Sequence, residues 1–396
     1  MSSSVTLSAA TRQNLLSLQD TASLTSATQN RLATGLKVSS ALDNPVNFFT
    51  AQSFTSRSGD LGALLDSISN GVQTVQAANQ GITSIQKLID SAKSTANQAL
   101  STQLTTTGTA STAFDSTAAS TVTFYVNGEE KTANIAAADS IDTAISALNT
   151  SAGATMFSKD TSGKKIVLNA SSDVEFKTAA DQTALGFAAG ATTTADTYGT
   201  GKDTISKSAD LTVAGVEGRA KLADQFNSLL TQITQLAKDS SFNGINLISN
   251  GDPSNKLHIA FNEKDTANLD IQGQDLTSDG LGLDAIGPSS GATVNGQGKF
   301  LLDTDIKATI SSLGGASDTL RSASSTFGSN LSVVQNRQDF TKRLVNILDT
   351  GAANLTNADL NEEAANSQAL STRQSLGISA LSLANQAQQG ILQLLR

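Results

Sequence analysis

Reactive side chains are sparse in this sequence, and no arrangement of them adds up to a catalytic site. The single histidine, His258, lies in the strand-like stretch LHIAF. One imidazole supplies neither a histidine-rich metal site nor a conventional triad, and a lone histidine of this kind reads as a sheet residue. The chain has no cysteine, which excludes disulfides, thiolate metal sites and thiol nucleophiles. No His-Glu-x-x-His occurs, so zincin-type proteolysis is ruled out. GLGLDAIG at 280–287 lacks the Gly-x-Gly-x-x-Gly spacing of a dinucleotide loop and reads as turn glycines. SGKK and TGKD lack the upstream glycine of a phosphate loop. DLTSDG at 275–280 and DTDIK at 303–307 offer carboxylates without a complete calcium-loop pattern. The second of these fits better as the cap of a helix starting near 303. Glu362 and Glu363 belong on a solvated or intersubunit helix face. The expectation is a chain that is not an enzyme and uses no metal or cofactor.

The elements that would have to position any site point elsewhere. Of 396 residues, 38% are hydrophobic and only 4% aromatic, with no Trp. Alanine, serine, threonine and glycine replace bulky side chains, which suits long helices packed closely on one another or on further copies of the chain. Charged residues make up 15%, with a net charge of −9 and no basic block. That balance argues against nucleic acid or an anionic membrane as partner. No run approaches the roughly 18 apolar residues of a membrane span, so no membrane insertion is expected. MSSSVTLSAATRQNLLSL has neither a basic start nor a continuous apolar stretch, so it does not read as a cleavable signal peptide. If the protein is exported, its machine does not read a Sec-type signal.

Four segments carry apolar residues at 3- and 4-residue steps. The first runs Leu15, Leu18, Ala22, Thr25, Gln29, Leu32 and Leu36. The second, from Leu61 to Ala99, is apolar at every stripe position. The third runs from Val216 to Ala237, and the fourth from Leu320 to Leu355. Stripes this long and narrow predict coiled-coil seams. The final stretch, STRQSLGISALSLANQAQQGILQLL, carries Leu, Ile or Ala on almost every face. A helix apolar all round is buried all round, and for a chain end the cover is another subunit. From about 103 to 208 the pattern becomes Thr/Ser/Gly-rich with strand signals. STVTFYVNGEEK alternates into an Asn-Gly turn, SIDTAISALN reads as a short helix, and KKIVLNASSDVEF gives two more strands. KLHIAFN and ANLDIQGQDL are further strand candidates within an irregular section from 239 to 300. The expected fold is mainly α. Long coiled-coil helices from both termini pack as nested inner and outer core, around a small inserted α+β domain.

With these features in place, the ends of the chain can be matched to a family. QNRLATGLKVSSALDNPVNFFTAQSF resembles the segment Arg-Leu-[small]-[Ser/Thr]-Gly-Leu-[Lys/Arg]-[Val/Ile]-x-[Ser/Thr]-Ala-x-Asp of bacterial flagellins, carried here by Arg31, Leu32, Thr34, Gly35, Leu36, Lys37, Val38, Ala41 and Asp43. Asn44-Pro45 and Phe48-Phe49 resemble the alphaproteobacterial variant. NADLNEEAANSQALSTRQSLGISALSLANQAQQGILQLLR resembles the family's C-terminal ending, with Gln388 where many members have proline, so the last helix is expected to run unbroken. FNGINLI at 242–248 also matches a family segment, and the insertion is similar to a β-β-α-β-β module found in several flagellins.

The resemblance implies a filament subunit, secreted to the extracellular flagellum through the flagellar type III apparatus. Its implied partners are other copies of itself, the export apparatus, a secretion chaperone, and the filament cap and hook-junction proteins. It implies an inner core from 1–44 and 356–396, an outer core from 45–105 and 209–355, and an exposed domain at 106–208. Leu15, Leu18, Arg31, Leu32, Leu36, Asp43, Arg373, Leu376, Leu381, Leu383, Asn385, Ile391, Leu394 and Leu395 are the expected core contacts. Among them, Arg31, Asp43 and Arg373 are expected to fix register by polar contacts, while Gly35 and Gly377 allow close helix approach. Arg31 to Val38 reads as the end of the inner helix. Asn44, Pro45, Phe48 and Phe49 form the joint between layers, with the phenylalanines anchoring the next element. Animal receptors that detect flagellins read a segment resembling Leu-Gln-Arg-[Val/Ile]-Arg-Glu-Leu. Here that stretch is IQKLIDS, where Lys87, Ile89, Asp90 and Ser91 predict poor recognition. Two rival readings are a hook–filament junction protein and a filament protein with a glycan-binding outer domain.

Overall fold

A computed structural model describes residues 9–191, 207–287 and 300–394. Its helices are α1 (Ala9–Thr34), α2 (Pro45–Ser101), α3 (Ile141–Ala152), α4 (Ala179–Ala184), α5 (Val216–Asp239), α6 (Asp303–Thr356) and α7 (Leu360–Leu394). Its strands are β1 (Thr105–Thr109), β2 (Ser120–Val126), β3 (Glu129–Ile135), β4 (Phe157–Lys159), β5 (Ile166–Ala170), β6 (Val174–Phe176), β7 (Leu211–Ala214), β8 (Lys256–Ala260) and β9 (Asn268–Gln272). The chain is mainly helical with a small α+β middle region, as expected. Three of the four stripes fall inside it: Ile68 to Ala99 on α2, Ala220 to Ala237 on α5, and Leu320, Phe327, Val334, Thr341 and Leu348 on α6 are buried.

The chain divides into two compact units, 1–69 with 260–268 and 335–396, and 70–259 with 269–334. In the first, α1 packs along α7. The first part of α2 and the last part of α6 approach closely at Gly351, where an added Cβ would lie 3.3 Å from the Phe54 ring. The tip of the β8–β9 hairpin belongs to this unit. It is fastened there by Arg57–Glu263 at 3.2 Å and by the Arg337 guanidinium 5.6 Å from the centroid of the Phe261 ring.

In the second unit, α5 lays its apolar face inward through Leu222, Phe226, Leu230 and Ile233. Gly71 leaves room for the Ile259 side chain, and Gly81 for Ser240 and Ile248. The inserted module has a four-stranded sheet, order β4-β5-β1-β7, and a three-stranded sheet, order β3-β2-β6. Asn127 and Gly128, both at positive φ (49° and 82°), form the two-residue turn between β2 and β3. The module has its own core, with Val122, Phe124, Leu148, Phe157, Leu168 and Phe176 at its centre. Its first and last strands pair antiparallel, Thr105 opposite Ala214, so the chain enters and leaves at one place.

Candidate assembly interface

The α1–α7 pair is built from unusual seam residues. On α1 the buried and half-buried positions are Thr11, Asn14, Leu18, Thr21, Thr25, Thr28 and Leu32; on α7 they are Glu363, Ser367, Leu370, Gln374, Gly377, Leu381 and Ala384. Both sets follow the alternating 3- and 4-residue steps of a heptad seam, yet most of the positions are polar. Two seam threonine hydroxyls are satisfied locally: Thr21 donates to Ser17 O and Thr25 to Thr21 O, each at 2.7 Å. Leu18 fits over Gly377, where a Cβ would come within 3.0 Å of its Cδ2. At one end of the seam Arg31 Nη1 meets Glu363 Oε1 at 3.0 Å.

This corrects the α1 stripe expected from sequence. The shared positions are 18, 25 and 32, but 14, 21 and 28 face α7 in place of 15, 22, 29 and 36. Leu15 is therefore turned away from the seam and 41% exposed. Several large apolar side chains of the pair point outward: Leu16 is 61% exposed, Leu376 66% and Leu383 69%, and Leu24 and Ile378 are exposed as well. Burying one such side chain is worth about 1.5–3 kcal/mol. The pair thus keeps its weaker surface inside and leaves its stronger one uncovered.

The joint is defined by backbone chemistry. α1 ends at Thr34, short of the expected Val38, because Gly35 takes the left-handed conformation (φ 71°) and its N–H closes on Arg31 O at 2.8 Å. Open space surrounds Gly35, so it serves as a helix terminator and not as a point of close approach. The connection then zips onto the break between α6 and α7. Lys37 N donates to Thr356 O at 2.7 Å, and Ala358 N to Gly35 O at 2.9 Å, while Leu36 bridges Asn357. Asp43 Oδ2 accepts from the backbone N–H groups of Ser39 and Ser40 and from both hydroxyls. These bonds, led by the one from the Ser40 backbone, hold its carboxyl below the ordinary value. Asn44 Oδ1 accepts from Asn47 N at 3.1 Å, and Pro45 occupies the first turn of α2, where its missing N–H is harmless. Asp359 repeats the device on α7, accepting from Asn361 N at 2.9 Å. Phe48 is half-buried and meets Phe49 edge-on at 5.6 Å. Phe49 itself is 60% exposed, so it does not anchor α2 within the chain.

The other expected positions are distributed as follows. Leu381 lies on the seam, whereas Arg373 and Asn385 are exposed. Arg373 has no ion pair among the described residues, and Asp43 makes its contacts within its own loop. α7 continues through Gln388 without a break. The side chains of Ile391 and Leu394, and all of Leu395, lie outside the described residues. In the receptor-like segment Lys87, Asp90 and Ser91 are exposed, but Ile89 is in the core at 1% exposure and cannot be read from outside. His258 sits on β8, its Nδ1 against Asp270, which also holds Lys256 at 2.6 Å. Among the described residues no group of three or more His, Cys, Asp or Glu is placed to hold a metal ion.

One organising residue escaped sequence reasoning. Arg219 is buried, and its guanidinium reaches Thr102 O at 2.8 Å, Leu301 O at 2.7 Å and Asp303 Oδ1 at 2.8 Å. It ties the segment after α2 to the start of α6. The signal was available: Arg219 lies three residues after Val216 and four before Ala223, on the apolar face of α5.

Comparison with known proteins fits this geometry. Residues 4–118 match the family model of the bacterial flagellin N-terminal helical region, and residues 310–395 that of the C-terminal helical region. Flagellin FljO of Caulobacter vibrioides is 32% identical over 209 residues, which is 53% of this chain and 71% of the relative. Flagellin FljM of the same species is 33% identical over 175 residues, spanning 44% of this chain and 59% of that relative. Flagellin B of Rhizobium meliloti is 36% identical over 107 residues, 27% of this chain and 26% of the relative.

Proposed function

The chain belongs to the bacterial flagellins of the alphaproteobacterial type, and on that premise we propose that it is a structural subunit that self-assembles into the helical filament of the flagellum. The carrying observation is the α1–α7 pair, whose seam is largely polar while large apolar side chains on both helices stay exposed. A face of this kind is covered by further copies of the same chain, through head-to-tail contacts that do not close into a ring. The role is mechanical, giving swimming motility, and not catalytic. The family models and these relatives favour this reading over a hook–filament junction protein or a glycan-binding filament protein.

The remaining partners follow from family membership. The subunit leaves the cell through the flagellar export apparatus with a secretion chaperone, adds beneath the filament cap, and sits beyond the hook-junction proteins. Residues 1–44 and 356–396 form the inner core, 45–105 and 209–355 the outer core, and 106–208 the outer domain. Arg31, Leu18 and Leu381 set the intrachain register, and Leu15, Leu376 and Leu383 face neighbouring copies. Recognition by the animal flagellin receptor is poor, because Lys87, Asp90 and Ser91 replace the expected surface; potent activation by purified monomer would contradict this. The assembly reading is tested with Leu376→Ser/Leu383→Ser. The variant should fail to pellet as filaments under conditions where the unaltered chain polymerises, and filaments at an unchanged critical concentration would overturn it.

A further inference from the structure

A half-enclosed cavity of about 170 Å³ lies beside the start of α6. Its apolar walls are Phe226 and Phe300, both buried and meeting edge-on at 5.3 Å, with Leu283 and Ile286. Phe300 holds a positive φ of 52°, a conformation a bulky residue adopts only when its surroundings impose it. Arg219 supplies that constraint through the carbonyls of Phe300 and Leu301. Asn227 fixes the opposite wall, donating to Ile286 O at 2.9 Å and accepting from Ile286 N at 2.8 Å. The space is therefore preformed, and much of its lining comes from the glycine-rich stretch 280–287.

One polar group in this cavity is unbalanced. Asp305 Oδ2 is cut off from solvent and has no hydrogen-bond partner. Native proteins rarely leave such an atom unsatisfied, so it calls for a proton or a ligand. Burial raises the Asp305 carboxyl to about 6, which leaves it ionised at neutral pH and in want of a cation. Asp284 adds a second carboxylate at the rim. Two aromatic walls and a carboxylate suit an organic cation better than a hydrated metal ion, because ring faces attract ammonium groups and repel anions. The volume admits a body about the size of a benzene ring. We infer that this cavity binds a small protonated amine with a compact apolar body, its ammonium on Asp305 and its body packed against Phe226 and Phe300.

The inference stands apart from filament assembly and is tested on the full-length monomer by isothermal titration at pH 7.5. Benzylamine, benzyl alcohol and benzoate share a shape and differ in charge. Benzylamine should bind at least tenfold more tightly than benzyl alcohol, with benzoate weakest. Asp305→Asn should bring amine and alcohol to within about twofold of each other, and lowering the pH to 5 should shrink the preference in the unaltered chain. Ala308→Leu, which narrows the mouth at an exposed position, should weaken all three and serves if the Asn variant does not fold. Equal binding of the three probes, no binding at all, or a preference that survives Asp305→Asn would overturn the assignment.

Discussion

Asn44 and Asp305 show how single residues set local stability in opposite ways. Asn44 caps α2 by accepting from Asn47 N, and Pro45 then enters the first turn with its φ already suitable. Asn44→Ala should cost about 1 kcal/mol in urea unfolding of the full chain. Pro45→Ala should cost about 0.4–1 kcal/mol through the unfolded state, yet change filament shape or assembly, since it loosens the joint. An Asn44→Ala chain as stable as the parent would contradict the capping account. Asp305 works against the fold at neutral pH. Its folded value is raised to about 6 by burial while the unfolded value is the ordinary 3.8, so the folded state favours the protonated form. Its contribution is fully present below pH 4 and is lost as the pH rises through 6. Asp305→Asn should therefore raise the melting temperature at pH 7.5 and leave it nearly unchanged at pH 4. An equal shift at both values would show that the carboxyl is not responsible.

Between elements, close packing and a buried charge decide the arrangement. A glycine inside a helix such as α7 is destabilising relative to alanine, so Gly377 is explained by the Leu18 side chain that lies over it. Gly377→Val should overpack that contact by about 1–3 kcal/mol and weaken α1–α7 pairing, measured as lost protection of α1 amides in hydrogen exchange. Arg219→Met should destabilise the chain by about 3–5 kcal/mol, because it leaves Asp303 and the Thr102 and Leu301 carbonyls without their partner. A loss under 1 kcal/mol would mean that water replaces the guanidinium. Much of this level was legible in the residues. The α2, α5 and α6 stripes are apolar at nearly every seam position, so periodicity alone located their buried faces. The α1 stripe misled for a physical reason. Periodicity finds the apolar face and assumes the chain buries it, whereas α1 buries Thr21 and Thr28 and exposes Leu15 and Leu16. The end of α1 was misjudged because Gly35 is compatible with helix until its left-handed φ is known. A charge on the apolar face of α5 marks Arg219 in the sequence, but its partners, like the Asp305 cavity, come from segments far apart in sequence, which no local pattern encodes.

For the whole molecule, the outward apolar faces of α1 and α7 link sequence to function. The two family matches at the chain's ends include the helices whose faces need cover. The inserted module has its own core and adjacent entry and exit strands. If assembly depends on burying α7, then removing α7 should abolish the polymer and leave the rest of the chain folded. The direct measurement is sedimentation and electron microscopy of a chain ending after Leu355, beside the intact protein under polymerising conditions. The account predicts that the intact chain forms filaments while the shortened one stays monomeric with its α2 and α6 helices intact. Filaments from the shortened chain would contradict it.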